Sequence, residues 1–252
     1  MPLKIYHRPD LLLLIGLSYF GLFLSVILLV PSSVSQDLLL RKPIIGSIFG
    51  FICIFGIIAV FFPKKCSQIL YFKKKGSSEF FSEEGMFSFN NATFIFNTKI
   101  IHGHHPICNN FSAHEFQIGN KTFCTGCTGL FFGSLINLFG TTLYFSNNWQ
   151  ITQESLFFIC IGILGIAFGL LFPLFNFRGT ILRLFFNAFF IFGMFSLLIG
   201  VDTFGNNFFF DLFLISLSIF WLFTRISLSQ WNHRRICQDC GIQCKFSRDT
   251  RS

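Results

Sequence analysis

Six apolar runs fix what this chain can fold into: Leu11–Val30, Ile44–Phe62, Thr128–Phe145, Leu156–Phe175, Ile181–Gly200 and Phe208–Phe223. A helix crosses a hydrocarbon core of about 30 Å with roughly 17–25 residues, at about 1.5 Å rise each. These runs have about that length. Backbone amides and carbonyls find no water in lipid, so each run must satisfy them internally as a helix. Charged residues make up only 12% of the 252, against about 25% in a soluble domain. The expected class is therefore an all-α polytopic membrane protein with six transmembrane helices.

Orientation follows from Lys and Arg. Of the 19 positive residues, all but Arg41 and Lys42 fall on one side when the N-terminus is placed inside. The segments Ser146–Ser155 and Val201–Asn207, expected as outer loops, carry none. The positive-inside rule then predicts N-in and C-in, a multi-pass protein of the cell membrane. The net charge of +8 reads as this topology signal, and no nucleic-acid partner is expected. Leu11–Val30 has a basic start and is followed by Ser32-Ser33-Val34-Ser35, as in a signal peptide. It is longer than an h-region of about 7–15 residues, so the expectation is a retained helix.

Four units are predicted: helices one and two in residues 1–63, a cytoplasmic loop in 64–126, helices three to six in 127–226, and a cytoplasmic tail in 227–252. Gly46 and Gly50, Gly129 and Gly133, and Gly165 and Gly169 each have the G-x-x-x-G spacing that lets helix backbones approach. Cys53, Cys160 and Asn187 are expected to pack within spans. Asp211 lies one turn into the sixth run, where snorkelling to water is the simple account.

The loop and the tail concentrate the chemistry. The loop holds His102, His104, His105, Cys108 and His114, then Cys124-Thr125-Gly126-Cys127. Met86–Phe89 and Ala92–Asn97 alternate as short strands do. Glu115–Ile118, Gly119-Asn120 and Lys121–Phe123 read as strand, tight turn and strand, a β-hairpin leading into the C-x-x-C. Two residues between thiolates let both sulfurs reach one zinc at about 2.3 Å, as in zinc knuckles. Cys108 and His114 are further candidate ligands. His104 and His105 point to opposite sides of an extended chain, so one of the pair, His105, is counted. The tail carries His233, Cys237, Cys240 and Cys244. If the sixth helix continues through Trp231, His233 and Cys237 share a face at i and i+4.

A tetrahedral zinc takes four ligands, so the two clusters suit either one shared site or two local ones, and the spacing does not choose. An iron–sulfur cluster could use the same thiols. Cys124 and Cys127 also stand at a helix start, where the macrodipole favours thiolate, so a membrane thiol–disulfide oxidoreductase is an alternative. Transport is a third reading, with Asp211 and Asn187 as the polar candidates. No nucleophile elbow, P-loop or dinucleotide fingerprint is present, and no catalytic residues are assigned.

The run Cys124-Thr125-Gly126-Cys127-Thr128-Gly129-Leu130-Phe131-Phe132-Gly133 resembles the signature of an uncharacterised prokaryotic membrane-protein family, a domain of unknown function. That signature is Cys-His, Ser-Phe and Cys-Ala-Arg-Cys-Thr-Gly before a glycine-bearing transmembrane helix. Here His105 precedes Cys108, inverting the order, and Gly126 stands where the family has Arg. The likeness covers about an eighth of the chain. It implies Cys and His near a helix start in a membrane protein, and no activity. The whole reading is thus a six-helix membrane protein with a cytoplasmic Cys/His module binding zinc in a structural role. Its expected partners are the bilayer, a metal ion and a protein partner on the cytoplasmic face.

Overall fold

The computed structural model describes residues 9–27, 40–61, 92–95, 98–101, 114–118, 121–146, 154–175, 179–205 and 207–239. Nearly all of this is helix. The helices are α1 (Pro9–Ile27), α2 (Arg41–Phe61), α3 (Thr125–Ser146), α4 (Ser155–Leu171), α5 (Thr180–Gly205) and α6 (Phe208–Asp239). All six are long and apolar enough to cross a membrane, which makes a lipid bilayer the environment that fits them.

Small residues set the packing, because apolar side chains gain little by leaving lipid for one another. A methyl group on Gly165 of α4 would stand 2.8 Å from Cα of Gly193 on α5, so these backbones nearly touch. On α3, a methyl group at Gly129 would lie 2.6 Å from Leu184 O, and one at Gly133 would lie 3.0 Å from Ala188 O. On α2, Gly46 meets Phe145 and Gly56 meets Ser134 in the same way. All three expected glycine pairs therefore lie along helix contacts. These contacts also give direction: α3 runs parallel to α5, and α2 and α4 run antiparallel to their partners.

Helix α5 is the axis of the bundle. Every residue from Gly193 to Asp202 is buried, which is the mark of a helix enclosed on all sides. Outward faces carry large apolar groups such as Phe20, Phe55, Phe139 and Ile181. The pair α1 and α6 is joined by polar contacts as well. Ser18 donates to Thr224 Oγ1 at 2.9 Å, and Trp221 Nε1 donates to Ser18 O at 3.0 Å.

Several boundaries differ from the sequence expectation. Helix α3 begins at Thr125, so Cys127 lies inside it. Helix α5 runs to Gly205, so most of the expected loop Val201–Asn207 is helix. Asn207 then caps α6, its Oδ1 accepting from Phe209 N at 3.0 Å. Helix α4 ends in a 3₁₀ turn over Phe172–Leu174, where Pro173 cannot continue the α-helical ladder.

Four short strands precede α3, described by backbone alone. β1 (Ala92–Ile95) pairs antiparallel with β2 (Thr98–Ile101), and β3 (Glu115–Ile118) with β4 (Lys121–Cys124). The register sets Glu115 opposite Cys124 and Ile118 opposite Lys121. The expected turn at Gly119-Asn120 and the expected strand at Met86–Phe89 lie outside the described residues.

Candidate functional site

The first candidate site is the junction of β4 and α3. Cys124 ends the strand and Cys127 is the third residue of the helix. Cys124 is buried and Cys127 half-buried. Thr125 Oγ1 donates to His114 O at 3.0 Å, which ties the start of β3 to the start of α3. Thr128 Oγ1 donates to Cys124 O at 2.8 Å, which closes the first turn. His114 is itself buried. The backbone of His114 thus lies against the helix start that carries Cys124 and Cys127, which Gly129 packs against α5, and the three side chains do not converge on one point.

His105, Cys108, Cys240 and Cys244 lie outside the described residues. Positions 233 and 237 lie in α6, which does continue past Trp231. They fall on one face of that helix, as i and i+4 must. Among the described residues, no three His, Cys, Asp or Glu side chains are placed to hold a metal ion. Axial position separates the clusters. Asn187 packs on Gly129 and accepts from Arg225, so these three share one level of the bundle. Cys237 lies further along α6, about 18 Å by helical rise. Cys127 lies about 3 Å beyond Gly129.

The sequence reading missed a second site, at the opposite end of the bundle. Arg41 opens α2 and is 4% exposed. Its Nη2 stands 2.8 Å from Asp202 Oδ1, and its Nη1 donates to Asp211 Oδ2 at 3.1 Å. The Asp202 contact is ionic and lacks hydrogen-bond alignment. Tyr144 donates its hydroxyl to Asp202 Oδ2 at 2.6 Å and meets Thr203 Oγ1 at 2.8 Å. Asp202 and Asp211 are 1% and 0% exposed. Asp211 therefore does not snorkel; it is held by a guanidinium from α2. One cation faces two carboxylates, and four helices meet there.

A third group sits at the junction end. Arg225 Nη2 donates to Asn187 Oδ1 at 2.5 Å, and Asn187 Nδ2 donates to Arg183 O at 2.6 Å. Asn187 is thus a bridge between α5 and α6 rather than simple filling. Cys53 is buried in the core, as expected, while Cys160 is exposed on the outer face of α4.

One signal for the second site was present in the sequence. Arg41 and Lys42 were the two positives left on the other side from all the rest. Buried cations need acids, and Asp202 and Asp211 bracket the short α5–α6 turn. Comparison of the chain with protein-family models, with curated proteins and with solved structures finds no match.

Proposed function

We propose that this multi-pass membrane protein carries a zinc-binding Cys/His module at the end where α3 begins, and that the module acts as a structural or interaction platform. The observation that supports this reading is the β4–α3 junction. It ties the His114 backbone to the Cys124–Cys127 turn at the entry of a helix packed against the bundle core. A ligand set of this composition suits a closed tetrahedral site, which stabilises a fold and leaves no position open for catalysis.

In this proposal the loop site uses Cys108 and one histidine, His105 or His114, with Cys124 and Cys127. The tail site uses His233, Cys237, Cys240 and Cys244. The offset of Cys237 from Cys127 along the bundle favours two local sites over one shared site. The positive-inside pattern puts both on the cytoplasmic face, with N- and C-termini inside, where thiols stay reduced. The likeness of Cys124–Gly133 to an uncharacterised membrane family is compatible with this and adds no activity. Elemental analysis and an absorption spectrum of purified protein test the proposal. Stoichiometric zinc without colour supports it, whereas visible absorbance would move the reading to an iron–sulfur centre.

A second reading, transport, draws support from the Arg41–Asp202–Asp211 cluster. Ionisable groups inside a membrane bundle commonly mark ion or substrate pathways. Flux measured in proteoliposomes, with Asp211→Asn as the comparison, tests it. Uptake that Asp211→Asn abolishes supports transport, and an absence of flux for candidate ions removes it.

A further inference from the structure

Arg225 is a buried cation whose contacts supply no counter-charge. It lies in α6 and is 8% exposed. Trp221 and Leu228, on the same face of that helix, are fully buried, so protein rather than lipid covers it. Nη2 donates to the Asn187 amide oxygen, while Nε is buried and meets no acceptor. Among the described residues, the charged side chain that acts on it is Arg183, a second cation, from the first turn of α5. Asn187 accepts from Arg225 and donates to the backbone carbonyl of Arg183 one turn earlier in α5, while the Arg183 guanidinium lies over the Phe172 ring, 5.8 Å from its centroid.

A guanidinium taken out of water is costly unless an anion replaces its hydration. One neutral amide oxygen is a poor replacement for that shell. The planar fork of Arg suits the oxygens of phosphate, to which it can bond twice. The start of α5 adds backbone N–H groups and the positive end of its macrodipole, a setting that favours anions. Arg183 is also close to the end of its candidate membrane span, Thr180–Gly205. That depth is where lipid phosphates lie.

We propose that Arg225, held on Asn187, binds a phosphate oxyanion with Arg183 at the start of α5 adding positive charge, the phosphate being carried either by an anionic phospholipid headgroup or by free phosphate. The test uses the full chain in a neutral detergent, with thermal unfolding as the readout. One arm titrates inorganic phosphate at constant ionic strength. The other adds phosphatidylglycerol, with phosphatidylcholine as its control. A saturable rise in unfolding temperature with phosphatidylglycerol alone supports a lipid headgroup. A rise with phosphate alone supports a soluble ligand, and a rise with both supports the phosphate group from either source.

Arg225→Gln should raise the half-saturating concentration about tenfold or more, the loss expected for removing a charged hydrogen-bond donor. If that variant does not fold, Arg183→Gln takes its place. Native mass spectrometry of the unaltered protein then counts retained phosphatidylglycerol against phosphatidylcholine. No stabilisation in either arm, an unchanged half-saturation in the variants, or no preference for the anionic lipid overturns the proposal.

Discussion

Arg41 Nη2 stands 2.8 Å from Asp202 Oδ1, with both side chains almost wholly buried. The same guanidinium holds Asp211 at 3.1 Å. One residue from the first turn of α2 thereby fixes the last turns of α5 and the first of α6. The short α5–α6 connection alone would set their spacing but not their rotation.

Removing one partner of a buried ion pair costs about 3–5 kcal/mol, because the other charge is left buried and unpaired. Arg41→Gln should therefore lower unfolding stability by about that amount. Adding Asp211→Asn should recover part of the loss, since the double variant buries one carboxylate fewer. Denaturant unfolding of the single and double variants measures this coupling.

Tyr144 gives Asp202 its shortest hydrogen bond, 2.6 Å. Tyr144→Phe keeps the ring packed and leaves Asp202 Oδ2 short of a donor. The expected loss is about 1–3 kcal/mol, read from the same unfolding curves. An unchanged midpoint would mean that Arg41 alone satisfies the carboxylate.

The contact of α4 with α5 leaves no room for a side chain at Gly165. Gly165→Ala should cost about 1–3 kcal/mol through overpacking. A methyl group on Gly16 of α1 would meet no atom within 4 Å, so Gly16→Ala should not lower the midpoint, and the helix preference for Ala over Gly should raise it slightly. Thermal unfolding of the two variants side by side separates backbone crowding from a general effect of replacing glycine.

Thr125 ties His114 to the helix start. In the presence of a chelator, Cys127 should react with a small maleimide faster than Cys124, which is the more buried. Thr125→Val breaks the bond to His114 O and should narrow that difference. Labelling rates followed by mass spectrometry report it.

The parts of the fold legible in the sequence are those governed by lipid. The length of each apolar run and the glycine spacings at Gly129, Gly133, Gly165 and Gly169 depend on local pattern, and they gave the helices and their contacts. Helix ends were less legible. Asp202 looked like loop because a charged residue ended an apolar run, yet its partner Arg41 comes from another helix 161 residues away. Asp211 was misread for the same reason: a carboxylate near a membrane edge suits water until a guanidinium from elsewhere is placed beside it. Asn187 showed no sign of holding a buried arginine, because Arg225 reaches it only when α5 and α6 pack. The junction around Cys124 and Cys127 was readable, since strand, C-x-x-C and helix follow one another directly in the chain.

The measurement that tests the proposed function most directly is metal content by elemental analysis, on protein purified without chelator, for the unaltered chain and two variants. The account predicts about two zinc ions per chain, one for each set of four ligands. It predicts about one after Cys124→Ser with Cys127→Ser, and about one after Cys237→Ser with Cys240→Ser, because each local site is lost alone. Unaltered protein that carries no bound metal, or zinc that is retained in full by both variants, would contradict it.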